Sequence, residues 1–296
     1  MNSILTAKYL SEKHEYAGRK WFYKFRDLPI IFDENKSSKI AGKLSTRYAS
    51  LTKSWDAEKN SEWLCRNYLS AKMIMSATLT LNALEYSKET NLRVVSPYLA
   101  YYSILSLLRG LVYTIPEVEW NAGELAKISH QKAISTAFDY VAKFDFDLAK
   151  KLIGQTQELK AFRELISYRS PTSGDENISS NCGVLSLATM LSELAQFNSE
   201  LLEASVSKNA AESDFVFLGK YRDQLSQVTI EDIQFFDRED SYRLGYLGRK
   251  YPLPPNILHV MTEGHVEDFF GAWIAPDDEE GGFNPDDDWQ LIFDIP

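Results

Sequence analysis

Nowhere in this chain do about 18 residues run apolar without interruption, the length a helix needs to cross a bilayer, so no membrane span is expected. The opening "MNSILTAKYLSEKHEYAGRK" lacks an apolar block of signal-peptide length with a cleavage site behind it. Cysteine is scarce: Cys65 and Cys182 are the only two, far apart and outside any CxxC pattern. That spacing excludes a zinc knuckle and points to free thiols in a reducing, cytoplasmic compartment. The four histidines form no HExxH pair, and no GxxxxGK[ST] or GxSxG motif occurs. Nucleotide-loop, metalloprotease and hydrolase-elbow chemistry therefore have no sequence support, and neither a metal nor a cofactor is expected.

What the chain does have is an uneven charge. It carries 42 acidic and 32 basic residues over 296 positions. Residues 1–60 hold twelve Lys/Arg against seven Asp/Glu, while residues 276–296 hold eight acids and no Lys or Arg. A mildly basic head and an acidic tail suggest partners of opposite sign at the two ends.

The head contains "GRKWFYKFRDLPIIF", in which Arg19, Lys20, Lys24 and Arg26 alternate with aromatic residues. Such interleaving suits nucleic acid, with rings on bases and cations on phosphates. The favoured reading is a strand or short helix whose rings enter the core while Lys and Arg stay wet. "DENKSSK" (33–39) reads as a loop by composition.

Helical periodicity begins near Ser61, where Trp63, Leu64, Tyr68, Ala71, Met75, Leu79 and Leu81 recur close to every 3.6 residues. Ser96 is placed to cap a second helix and Pro97 to start it, and "YLAYYSILSLLRGLVY" is apolar around most of its circumference, as a central helix should be. Arg109 is its one internal charge. "SHQKAISTAFDYVAKF" predicts a shorter helix. Asp145 or Asp147 caps a long one that ends in "FRELISYR", and a turn-rich segment at 170–183 leads to an amphipathic helix from Val184 to about Ser205. About five helices between residues 61 and 208 make a bundle the natural packing solution. Beyond it, "DFVFLG", "VTIEDIQFF" and "YRLGYLG" read as two or three short strands or as irregular chain, and "KYPLPPNI" must be extended. His259 and His265 lie beside acids in "HVMTEGHVEDFF", at a spacing that fits no ligand motif, and read as solvated loop and helix. The expected architecture is mainly α: a helical bundle at 61–208, a small mixed or irregular region at 209–275, and an acidic-apolar tail at 276–296 after the basic head of 1–60.

"YLSAKMIM", "YLAYYSILSLLRGL", "ISHQKAI" and "LKAFRELISYRSP", in this order, resemble the HEPN superfamily over about residues 62–172. Tyr101, Tyr102, Arg109, Ser129, His130, Arg163, Tyr168 and Arg169 match its pattern. The resemblance implies a HEPN-like bundle from a bacterial defence or toxin–antitoxin setting, paired as a homodimer or with a protein encoded nearby, and handling RNA or a nucleotide. The family's ribonucleases place a histidine four to six residues after the arginine. Here the window after Arg163 is "ELISYRS", with Tyr168 where the histidine belongs, and a phenol of pKa about 10 is a poor base at neutral pH. The expectation is therefore phosphate or nucleotide binding by Arg163, Arg169 and Arg109, without the standard nuclease pair. Two alternatives stand beside it: a non-catalytic scaffold whose tail binds a partner, and a ribonuclease in which His130 joins Arg163, with Tyr168 as a further candidate. The tail "DDEEGGFNPDDDWQLIFDIP" offers Asp286, Asp287, Asp288, Trp289 and Phe293 for a partner or for the chain's own basic edge. It equally reads as an edge segment packed on the bundle.

Overall fold

The computed structural model describes residues 23–32, 34–178, 183–262, 264–274, 282–286 and 288–295. Among these the chain is mainly α-helical. The helices are α1 (Leu28–Ile31), α2 (Glu34–Thr52), α3 (Ala57–Glu89), α4 (Ser96–Tyr113), α5 (His130–Ala142), α6 (Phe146–Arg169) and α7 (Val184–Asn209). After them come α8 (Gly219–Ser226), a hairpin of β1 (Gln227–Ile230) and β2 (Ile233–Phe236), α9 (Arg238–Lys250), α10 (Ile257–Met261) and α11 (His265–Gly271). No helix among the described residues is long and apolar enough to cross a membrane.

The spine is α3, about 50 Å long at 1.5 Å per residue. Asp56 starts it by accepting the Lys59 N–H at 2.8 Å. Trp63, Leu64, Tyr68, Ile74, Met75, Leu81 and Leu84 are all buried along it. Its main partner is α4, and Gly110 allows the close approach. A Cβ there would lie 3.3 Å from Met73 Cβ, and the Ser70 hydroxyl donates to the Gly110 carbonyl at 2.9 Å. Around α4 pack α5, α6 and α7, while α8 to α11 lie mostly on α3.

Helix α7 is enclosed on nearly all sides, and its polar residues are enclosed too. Glu193 accepts the backbone N–H groups of Arg26, Asp27 and Leu28, the last two at 3.0 and 2.8 Å. Further along, Glu203, Ser199 and Gln196 accept the N–H groups of Asn256, Ile257 and Leu258 at 3.2, 3.1 and 3.0 Å. The first N–H groups of a helix have no partner within it. The polar residues of α7 serve as those partners for two short helices, α1 and α10.

Four local expectations are corrected. "DENKSSK" is mostly the start of α2, a 19-residue helix that packs on α7 and extends the helical assembly into residues assigned to the head. Ser96 does not cap α4. Its hydroxyl lies 3.0 Å from that of Ser87, and the preceding helical turn covers the helix start. "YRLGYLG" is helical, within α9. Asp237 caps it by accepting the Asp240 N–H at 3.0 Å, and Gly248 serves packing, since the Phe217 ring leaves no room for a Cβ there. His259 and His265 are buried, not solvated. "VTIEDIQFF" does form a hairpin. Glu231 and Asp232 take φ of 48° and 64°, the left-handed pair that a two-residue hairpin turn requires.

Candidate functional site

Three helices bring the matching residues together. Residues Tyr101 and Tyr102 lie one turn into α4; the first is buried and the second is 42% exposed. Arg109 sits two turns further along the same helix, and its Nη2 donates to the Ile128 carbonyl at 3.1 Å. That bond fixes the chain just before α5. Ser129, in extended conformation, accepts the Lys132 N–H and starts the helix, which puts His130 at the first helical position. The Tyr101 hydroxyl then lies 3.3 Å from His130 Nδ1, and the Tyr102 ring stands edge-on to the imidazole at 5.9 Å.

From the third side, α6 contributes Arg163. Its guanidinium lies 5.2 Å from the Tyr101 ring centroid and 6.0 Å from that of Tyr102, within cation–π range. Tyr168, 74% exposed, lies one turn beyond Arg163 on the same helix. The end of α6 is clamped to α4, because the Ser167 hydroxyl donates to the Tyr98 hydroxyl at 3.1 Å. Lys160, one turn before Arg163, completes the group. Glu164 is the carboxylate within this edge, 3.7 Å from Lys160 and 3.9 Å from Arg163.

The electrostatics favour an anion. Burial, then the charges of Arg109, Arg163 and Lys160, hold the His130 pKa below its ordinary 6.5. The imidazole is therefore neutral at pH 7, in a field set by three cations. The Nε groups of Arg109 and Arg163 are buried with no hydrogen-bond partner among the described residues. Buried donors without partners are costly, so these two arginines are held in place at some expense. A neutral imidazole is also a proton acceptor, which a protonated one is not.

Of the residues expected at this edge, Arg163, His130, Tyr168 and Arg109 converge. Arg169 ends α6, exposed, with no partner among the described residues. Lys160 was missed, although its spacing of three from Arg163 on one helix would have placed it on the same face.

The head and tail candidates lie elsewhere. Arg19, Lys20 and Asp287 are outside the described residues. Lys24 is exposed, and Arg26 donates to the Gln290 carbonyl at 3.2 Å. Tyr23 and Phe25 of the head are buried. Phe293 is only 1% exposed, with its ring 4.5 Å from that of Tyr23, and Ile292 and Ile295 are buried beside it. Trp289 is half-buried, while Asp286 and Asp288 are exposed. The tail thus meets the head through rings and backbone. Among the described residues no tail carboxylate pairs with Arg163 or with a head cation.

No family model matches the chain, and neither does any curated protein or solved structure.

Proposed function

We propose that the edge formed by α4, α5 and α6 binds the phosphate of an RNA or nucleotide, in a HEPN-like protein of a bacterial defence or toxin–antitoxin system. The observation that carries this is the convergence of Arg109, Arg163 and Lys160 on His130 at one edge of the bundle. Tyr102 and Tyr168 stand exposed beside these cations, where bases would stack. The test is fluorescence anisotropy with a short single-stranded RNA across a salt series. Binding through about three phosphate contacts gives a slope of log K against log salt near −2, and Arg163→Ala removes roughly 0.7 of it. Binding that ignores salt, or that survives Arg163→Ala unchanged, refutes the proposal.

The position of His130 favours a second reading, cleavage. His130 accepts the proton of a ribose 2′-hydroxyl, the freed oxygen attacks phosphorus, and the 5′-oxygen leaves with a proton from water. The products are a 2′,3′-cyclic phosphate and a 5′-hydroxyl. His130→Ala then abolishes cleavage while Arg163-dependent binding persists. Binding with no cyclic phosphate formed leaves the first reading standing and removes the second.

A further inference from the structure

A cavity of about 400 Å³ opens between α3, α4, α6 and the start of α7. Leu81 and Leu84 of α3, Pro97 and Ala100 of α4, and Leu159 and Phe162 of α6 line it. All are buried except Phe162, which is half-buried. Polar ties fix these walls relative to one another. The Ser87 hydroxyl of α3 meets that of Ser96 on α4 at 3.0 Å, and Ser167 of α6 donates to Tyr98 of α4 at 3.1 Å. Preformed ligand sites of about 300–1,000 Å³, mostly apolar, are often found between the helices of a bundle. The polar side chains that line this one are already engaged. Glu85 pairs with Lys88 at 2.7 Å, Arg93 pairs with Asp175 at 3.1 Å, and Ser96 meets Ser87. The Ser186 hydroxyl, at the start of α7, donates to Asp27 at 3.4 Å.

We infer that this cavity binds an uncharged, mainly apolar small molecule, of the kind of an alkyl chain with one small polar end. The charges select that ligand. The lining holds two acids and two bases, and each is paired with another. An ion of either sign entering the cavity would meet no free counter-charge, and an unpaired charge is costly to bury. An apolar body loses nothing there and leaves water for the leucine walls. A macromolecule covering the mouth would have to take both ion pairs out of water, since Glu85, Lys88 and Arg93 are exposed. Their attraction repays that cost only in very favourable geometry. A small molecule seated among the helices leaves both pairs wet. The inference does not rest on phosphate binding, because Leu159 and Phe162 occupy the face of α6 beside that of Lys160 and Arg163.

Titration of the full chain with 1-hexanol, 1-heptanol and 1-octanol, followed on the leucine methyl NMR signals, tests this. Shifts should concentrate on Leu81, Leu84 and Leu159, and affinity should rise about fourfold with each added methylene. Octanoate and octylammonium, both charged at neutral pH, should bind about tenfold more weakly than octanol or not at all. Ala100→Leu places a larger side chain in the cavity and should remove the shifts while the fold persists. Should Ala100→Leu fail to fold, Phe162→Trp fills the same volume. The inference is overturned if octanol at its solubility limit shifts no leucine of the cavity, or if affinity ignores chain length. It is equally overturned if either charged analogue binds as well as octanol, or if the folded filling variant binds octanol like wild type.

Discussion

Two buried groups pull the stability of this fold in opposite directions with pH. His265 is 5% exposed and lies flat on Tyr68, ring centroids 5.1 Å apart at 7°. Burial, then the charges of Arg243 and Lys72, push its pKa down to about 3. The fold prefers the neutral ring, so the stability His265 contributes is complete above about pH 6.5 and is lost as pH falls toward 3. One pH unit inside that window is worth about 1.36 kcal/mol, and the loss at pH 5 is about 2 kcal/mol. Glu200 on α7 works the other way. Burial, with the nearby Glu203 charge, raises its pKa from 4.5 to about 8, against a hydrogen bond from Gln196 Nε2 at 2.9 Å. The fold prefers the protonated acid, so stability is complete below about 4.5 and falls as pH rises toward 8, by about 3 kcal/mol at pH 7. Between pH 4.5 and 6.5 the two slopes cancel. Wild type should therefore show little net dependence from this pair, and each single variant should expose the other slope. Relative to wild type, His265→Phe should gain about 2 kcal/mol between pH 7 and pH 5. Glu200→Gln, which mimics the protonated acid, should be more stable at pH 7 and lose about 2.5 kcal/mol of that advantage by pH 5. Urea unfolding at the two pH values at constant ionic strength measures both. Differences from wild type that stay constant with pH, within about 0.5 kcal/mol, refute the reasoning.

The other expectations concern the two chain ends and the candidate site. Glu193→Ala leaves three backbone N–H groups without their acceptor and should cost about 2–4 kcal/mol; a melting temperature within a degree of wild type would show that other groups or water replace it. Phe293→Ala should cost about 3–5 kcal/mol, as for other buried rings, and a neutral outcome would mean that the tail does not pack on Tyr23 in solution. Bound phosphate should raise the His130 pKa, so affinity should be flat at alkaline pH and rise as pH falls through the bound-state value. An NMR titration in which His130 keeps the same pKa with and without the RNA would contradict a phosphate beside it.

The long helices were legible because each signal was local. Pro97, Asp145 and a repeat near 3.6 residues mark their ends and faces, and those boundaries are found within a few positions. What misled was composition read without packing. "DENKSSK" looks like a loop, yet Ile40, Ala41, Leu44 and Tyr48 further on give α2 a buried stripe that carries the polar turn with it. "YRLGYLG" looks like turn and strand because its two glycines mask the three-residue spacing of Leu244 and Leu247, both buried. The site was legible as a set of residue types but not as an arrangement. His130 is 33 residues before Arg163, and only the antiparallel return of α6 across α4 brings both against Tyr101.

Helix α7 shows why the remainder was hidden. Its apolar residues Leu187, Leu191, Leu194, Leu201 and Leu202 form the stripe that periodicity finds, which suggests that Glu193, Gln196, Ser199, Glu200 and Glu203 face water. All five are buried. Four of them are acceptors for N–H groups from outside the helix, at positions 26–28 and 256–258, where α1 and α10 begin. Those helices have four and five residues, too short to be stable alone or to show a periodic signal. Their existence depends on acceptors held by a helix distant in sequence, and α7 depends on them to satisfy carboxylates and amides that could not otherwise be buried. Neither half of this exchange is visible in a local window. It also explains how the head and the residues after Tyr251 belong to the same core as the bundle. The head is held by Glu193, the tail by the Ser192 hydroxyl donating to the Ile292 carbonyl at 2.9 Å, and α10 by Glu203, all on α7.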